Sequence, residues 1–428
     1  MEALSEIPRD CFGNAHAENL PYARGAFVRG TEDDIAKLEQ AWRMLDERIA
    51  NQGLEAVYNF SGLDRHLVVE PEDLPYLDDE IAPARYSGEL RRLGLEHLGG
   101  DPTRHDVFLL NRLTGALLLG AEVLVSPGDE VIGVSPRYSH PAVRRAVNRA
   151  RGTFTDVVGA KGLGDALRGT PHPAVVFVTR LSVSYEILAD DELREVIERA
   201  KAAGARVIMD DAGGARVGPA IFDQPGALAL GADIAATGLD KYGTLGPRAG
   251  LLGGERDLVA RVRALAFETG LELRPMLYPA VVRSLKAYDP ARVRELVDTT
   301  KSLADTMRRR LGGNRLMETE VILQIPGEDL LALAMERGDH KTPPVVPIEA
   351  TAGLAMLLLR DYGILTVHFA GLPPGTSALL IKFVPPETLA RFGGADRFAE
   401  AIDDCVSKLA KIISDAGSFG ALLYGDRA

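Results

Sequence analysis

The spacing of apolar positions changes twice along the chain. After an irregular opening broken by Gly13, Pro21 and Gly25, the residues Ile35, Leu38, Trp42, Leu45 and Ile49 recur at helical spacing. Thr31 can cap this helix and Gly53 can end it, which predicts an amphipathic helix packed on the body of the protein or on a partner subunit. From about Val107 to Gly254 short apolar runs alternate with helical stretches. The runs lie at residues 130–134, 174–178, 206–209, 234–237 and 249–252, and a typical helix covers 190–203, capped by Asp190 or Asp191 and stopped by Gly204. Strands that are apolar throughout and alternate with helices predict a mainly parallel sheet covered on both faces. A long helical segment over 279–310 then leads to a C-terminal α+β unit, with strands at 319–324, 365–369 and 378–384 and a closing helix at 395–414. The expected division is an N-terminal segment and helix (1–55), a large α/β domain (56–290) and a smaller C-terminal α+β domain (291–428).

Composition narrows the function. A chain of 428 residues exceeds the roughly 250–300 at which single cores stop growing, so two domains are expected. A net charge of -12 argues against nucleic acid or an anionic membrane as partner, since both select clustered Lys and Arg. The cysteines, Cys11 and Cys405, provide neither a disulfide framework nor a thiolate metal cluster, and suit a reducing cytoplasm. Residues 1–10 show no signal-peptide pattern and no apolar run reaches the ~18 residues of a membrane span, so a cytoplasmic chain is expected, without a metal site.

Three features on the α/β part carry chemistry. Asn111-Arg112-Leu113-Thr114-Gly115-Ala116 opens a helical stretch, and a Gly-containing turn there offers unpaired N–H groups to a phosphate. Alone, such a Thr-Gly pair is more often only a cap. The apolar strand from Arg206 ends in Asp210-Asp211, where open α/β sheets bind ligands. One carboxylate could pair with a protonated ring nitrogen; a helix cap or a metal ligand would look the same. The third is the segment from Ala232, whose strand 234–237 runs into the Gly-rich loop Thr237-Gly238-Leu239-Asp240-Lys241-Tyr242-Gly243-Thr244-Leu245-Gly246-Pro247-Arg248-Ala249-Gly250. A lysine between two buried-type strands would have a depressed pKa and could form an imine.

This order of phosphate turn, strand-end Asp and loop Lys resembles the fold-type I pyridoxal-phosphate enzymes. The lysine loop is most similar to that of bacterial selenocysteine synthase and its relatives, as are Asn59-Phe60-Ser61-Gly62 and the segment Leu273 to Ala280; the resemblance covers roughly 56–290. Leu380-Ile381-Lys382-Phe383-Val384-Pro385 is more loosely similar to tryptophanase-type β-eliminating lyases. The resemblance implies an α/β fold-type I architecture, a mainly parallel seven-stranded sheet with helices on both faces plus the smaller C-terminal α+β domain. It also implies pyridoxal 5'-phosphate as cofactor and a homodimer or higher homo-oligomer. Lys241 would hold the cofactor as a Schiff base and move the Cα proton. Asp211, a better match than Asp210, would keep the pyridine nitrogen protonated. Thr114, Gly115 and Thr237 would bind the cofactor, Arg248 would be a second phosphate ligand where the relatives tend to have Gln, and Tyr138 or, preferably, His140 would lie over the ring.

The resemblance leaves the substrate carboxylate to Lys382, where such enzymes usually have Arg, or to Arg180 or Arg216. It favours a lyase acting on an amino acid with a β-leaving group, by elimination or replacement, C–S cleavage included. An aminotransferase is the alternative, followed by a non-catalytic cofactor-binding relative. The substrate would be a free or carrier-tethered amino acid; the acidic chain lacks the basic stripe that a tRNA would need.

Overall fold

The apolar runs of the middle of the chain pair into one seven-stranded sheet. Its strands are β1 (His105–Leu110), β2 (Glu130–Ser135), β3 (Thr153–Val158), β4 (Val175–Thr179), β5 (Arg206–Asp210), β6 (Ile234–Gly238) and β7 (Gly250–Glu255). They lie in the order β1-β7-β6-β5-β4-β2-β3, with only β7 running against its neighbours. The computed structural model describes residues 8–369 and 372–425; residues 1–7, 370–371 and 426–428, which fall in the expected N-terminal segment and C-terminal domain, lie outside the described residues. Among the described residues no helix is long and apolar enough to cross a membrane.

Eight helices matter to the site: α1 (Ile81–Leu98), α2 (Leu113–Leu124), α3 (Pro141–Arg149), α4 (Gly159–Gly169), α5 (Asp190–Ala202), α6 (Gly214–Phe222), α7 (Arg256–Thr269) and α8 (Tyr278–Ala287). Side chains of a strand alternate between faces, and here both faces are apolar. Val131, Phe177, Ile208 and Ile234 pack under α2, α3 and α7 with Leu117, Val143 and Val259. Ile132, Val178, Met209 and Ala235 pack on the other side with Leu93 of α1, Leu163 of α4, Val196 of α5 and Val282 of α8. Each such fully buried aliphatic side chain contributes about 1.5–3 kcal/mol. We refer to these as the α2 face and the α5 face.

The described residues divide into two compact units, Asp64–Arg294 and a second built from the chain up to Leu63 together with Glu295 onward. The N-terminal segment, expected to stand apart up to residue 55, thus clusters with the C-terminal part, and 56–63 go with it. A two-stranded parallel pairing of Tyr58–Asn59 with Ile364–Leu365 ties them. The second unit also holds an antiparallel three-stranded sheet, Leu379–Lys382, Ile322–Ile325 and Met317–Glu318. Its core is the wholly buried helix segment Leu354 to Leu359 against Ile402, Val406 and Leu409.

Several expected elements differ. The segment 279–310 is not one helix but Tyr278–Ala287, Pro290–Ser302 and Ala304–Leu311, because Pro290 cannot continue the preceding turn. The strand expected at 365–369 is the short Ile364–Leu365 followed by a 3-10 turn, Val367–Phe369. The first helix, Thr31–Gln52, starts with Gly30 at its cap and buries Asp34, Lys37 and Ala41, while Ile35, Trp42 and Ile49, expected to pack, are exposed. Asp34 is held inside by Arg24 at 2.8 Å and Lys37 at 3.5 Å.

Candidate active site

At the carboxyl end of the sheet the pleat decides which groups meet. In register, Thr179 stands beside Asp210, and Ser135 follows Val134, which stands beside Val178. Ser135, Thr179 and Asp210 share parity with Val131, Phe177 and Ile208, so all three face α2. Each is buried, and the Ser135 Oγ, Thr179 Oγ1 and Asp210 Oδ1 atoms have no hydrogen-bond partner. Buried polar atoms are nearly always satisfied, so a row of three across adjacent strands marks a place where a ligand's polar edge fits.

Lys241 reaches the same face. Its loop leaves β6, turns through positive φ at Tyr242 and Gly243, and is closed by Thr244, whose hydroxyl donates to the Lys241 carbonyl at 2.8 Å. The side chain folds back over Gly238: a Cβ there would lie 3.4 Å from Lys241 Cε and 3.1 Å from an Asp240 carboxylate oxygen. Burial pushes the Lys241 amine below its usual range; the Asp240 and Asp210 carboxylates oppose this, and the Arg216 and Arg65 charges add to it. Burial also raises the Asp210 carboxyl to about 6, with Lys241 opposing and Asp211 adding. His140 caps α3, its Nδ1 accepting from the Ala142 N–H at 3.0 Å. Desolvation, then the charges of Lys241 and Arg145, hold its pKa down to about 3, so the ring is neutral at physiological pH. Tyr138 is half-buried in the same β2–α3 connection.

The helix expected to hold a phosphate begins where the sequence places it. Arg112 is the N-cap of α2, directly after β1, and the space beside Gly115 is open. Around this end stand Arg65, Arg112 and Arg248 with Asp240, which Arg65 pairs at 3.0 Å. Burial lowers the Arg248 pKa to about 10, and the neighbouring Arg65 and Arg112 charges lower it further against Asp240. Burial and Arg65 likewise lower Arg112. Gly246 and Gly250 allow the approach, since a Cβ on either would strike the backbone of Arg65 or Arg112.

The α5 face is built differently. Asp211, expected to meet the cofactor, points there because one residue further along a strand reverses the side. Arg180 binds it at 3.0 Å and donates to the Pro225 carbonyl at 2.8 Å, with both ionic side chains fully buried. Arg216 donates through Nη2 to the Ala212 carbonyl (2.9 Å), the Gly238 carbonyl (2.6 Å) and the Thr237 hydroxyl (2.8 Å), and Nη1 meets His97 Nε2 at 3.0 Å. Neither guanidinium is presented to a substrate carboxylate, contrary to expectation. Thr237, also expected at the cofactor, turns its hydroxyl to Arg216 and the Ala212 carbonyl. Lys382 belongs to the other unit, buried at the end of its strand with its stem against Gly62.

Sequence reading missed Ser135, Thr179, Asp240, Arg65 and Arg112, and ranked Asp210 below its neighbour. Arg112 and Asp240 sit inside the motifs themselves, so adjacency was an available signal. Nothing local singles out Arg65 or the two hydroxyls.

No family model matches the chain. A protein of Methanothermobacter thermautotrophicus named as pyridoxal phosphate-dependent is 29% identical over 398 residues, spanning 92% of this chain and 98% of its own. Its namesake in Methanosphaera stadtmanae is 24% identical over 395 residues, spanning 92% and 99%. The arginine decarboxylase of Bacillus subtilis is 26% identical over 258 residues, 55% of this chain and 49% of that enzyme. Among solved structures, a PLP-dependent cyclase aligns with a TM-score of 0.56 at 18% identity, covering 84% of this chain and 97% of its own. The N-succinyldiaminopimelate aminotransferase of Mycobacterium tuberculosis aligns with 0.55 at 18%, covering 85% and 96%. The chain therefore has the fold-type I architecture, with its mostly parallel central sheet.

Proposed function

We propose that this protein is a pyridoxal 5'-phosphate enzyme acting on an amino acid, with the cofactor carried on Lys241. The observation that carries the reading is the row of unsatisfied buried atoms on Ser135, Thr179 and Asp210, on the face to which Lys241 returns over Gly238. Asp210, rather than Asp211, would pair with the pyridine nitrogen, and Thr179 and Ser135 would meet the ring's polar edge. Neutral His140 would lie against the ring. The first turn of α2, with Thr114 and Gly115, would take the phosphate. Arg65, Arg112 and Arg248 lie close enough to act on one another there, and guanidinium forks suit a phosphate's oxygens. The relatives named as pyridoxal phosphate-dependent support the same cofactor.

When bound, the cofactor supplies an electron sink for charge developing at the substrate Cα. Lys241, kept toward its neutral form by burial, takes the Cα proton. The reaction we favour is a lyase reaction, in which that proton and a β-substituent leave, by elimination or replacement. Its support is the likeness of the lysine loop and of the segment around Lys382 to β-eliminating groups. Decarboxylation is the second reading: Arg180 and Arg216 are taken up inside the fold, and an arginine decarboxylase matches 55% of this chain. Transamination is the reaction of one fold neighbour. The same reading takes the working form as a cytoplasmic homodimer or higher homo-oligomer, independent of nucleic acid, in keeping with the acidic composition.

Loading the protein with pyridoxal 5'-phosphate, reducing it with borohydride and mapping peptides by mass tests the assignment. Label on Lys241 is expected, and label elsewhere or nowhere sinks it. An amino-acid panel then separates the reactions. A 2-oxo acid with ammonia released without any acceptor means elimination, an amine with carbon dioxide means decarboxylation, and product only with an added 2-oxo acid means transamination.

A further inference from the structure

We propose that Arg216 is a positioning residue, locking the segments that carry Asp210 and Lys241 to each other from the opposite face of the sheet. This rests on the reading of Lys241 as the cofactor's attachment. The Asp210 segment continues from β5 into Ala212, and the Lys241 segment continues from β6 through Gly238. The two strands pair with each other only as far as Asp210 and Ala236, where the Asp211 N–H donates to the Ala236 carbonyl at 2.9 Å, so Ala212 and Gly238 lie past the ladder that joins them. One guanidinium nitrogen of Arg216, anchored on α6, bridges both through the Ala212 and Gly238 carbonyls and the Thr237 hydroxyl. Its other terminal nitrogen is braced by His97 of α1. Burial and the Arg216 charge hold the His97 pKa to about 3, so the imidazole is neutral and its Nε2 accepts. A ring packs the same joint: a Cβ on Gly213 would lie 2.4 Å from the Tyr242 ring, so the residue after Lys241 sits directly on the turn after Asp211. The Tyr242 hydroxyl is in turn hydrogen-bonded to that of Tyr185.

A planar group whose two terminal nitrogens point in fixed directions reaches both segments through Nη2 and His97 through Nη1 at once; an ammonium on a flexible stem does not hold that geometry. The same position acts on the amine electrically. Lys241 faces the Asp240 and Asp210 carboxylates, which favour its charged form, and the Arg216 and Arg65 cations, which oppose it, with neutral His140 nearby. Arg216 itself faces Asp211, Asp240, Tyr242 and Tyr288. Removing its charge therefore raises the pH at which the nitrogen of Lys241 loses its proton.

The test uses the cofactor-loaded full chain, with Arg216→Gln and Arg216→Lys. The readouts are the pH midpoint of the visible absorbance of the Lys241–cofactor link and the rate of borohydride-trappable cofactor capture. Arg216→Gln is expected to move the midpoint up by about one pH unit, the scale set by one nearby charge. Arg216→Lys keeps the charge but not the fork, so the midpoint stays while capture slows severalfold. A folded Arg216→Gln protein with the wild-type midpoint overturns the inference. So does an Arg216→Lys protein that captures cofactor at the wild-type rate, which decides the matter if the Gln variant does not fold. A wild-type chain that traps no cofactor on Lys241 would instead overturn the reading beneath it.

Discussion

Asp210 and Asp211 are neighbours in sequence and differ in nearly everything else. Asp211 is clasped by Arg180, and a Cβ on Gly214 would come within 2.3 Å of its other oxygen, so nothing further fits there. Gly218 is packed as closely, its Cβ position lying 2.6 Å from Arg180 Nη1. On the other face Asp210 has an amide partner at Ala212 and a free oxygen beside two hydroxyls that bond to nothing. There the helix end at Gly115 is open. Unpaired buried atoms occur on both faces, Asp211 Oδ1, Arg180 Nε and Arg216 Nε among them. What separates the faces is that guanidinium groups fill the space around Asp211, whereas the row beside Asp210 shares its face with an open helix end. The contrast shows that burial alone does not identify a functional carboxylate; the state of its neighbours does.

The comparison can be broken in four places. Lys241→Ala should abolish borohydride-trappable cofactor while leaving the circular dichroism unchanged; retained label would remove the open face as the site. Arg180→Ala leaves Asp211 buried without its partner and should cost about 3–5 kcal/mol in urea unfolding. A cost below about 1 kcal/mol would mean that the close-packed face is not the structural one. Asp210→Asn should do the reverse in cofactor-free protein. Its carboxyl is raised to about 6 in the folded state, so above that pH the buried charge opposes folding, and the penalty fades as pH falls toward the unfolded value near 4. A gain of roughly 1–3 kcal/mol at pH 8, lost at pH 4, is the expected outcome, together with impaired turnover once cofactor is added. The smallest effect belongs to Thr179→Val, which removes a hydroxyl with no partner. Stability should hold or rise slightly, while cofactor affinity, read by equilibrium titration, falls about fivefold for one lost hydrogen bond.

The parallel sheet was legible because β2, β4, β5 and β6 are apolar on both faces and can be little else. Edge strand β3 was not, since Thr153–Val158 alternates exposed and half-buried positions. Lys241, the α2 turn and the strand-end acid pair were likewise readable, each lying inside one short motif. Choosing between the two acids was not, because their faces depend on a register that neighbouring strands fix. Arg65 joins the arginine cluster from 175 residues away from Asp240, and no local pattern announces such a meeting. Arg180 and Arg216 looked like substrate ligands for the same reason: a buried guanidinium and an open one read alike in one dimension.

The division of the chain also has a consequence for synthesis. Asp64–Arg294 is one uninterrupted stretch, whereas the other unit needs residues from both ends. As the chain leaves the ribosome, the lysine-bearing unit can fold while the first sixty or so residues still wait for partners that have not been made. The helix Thr31–Gln52 packs against the helices Pro347–Tyr362 and Ala416–Tyr424, so the face that it buries in the folded chain stays uncovered until those are made. During that interval this helix is where a nascent chain would most need a chaperone.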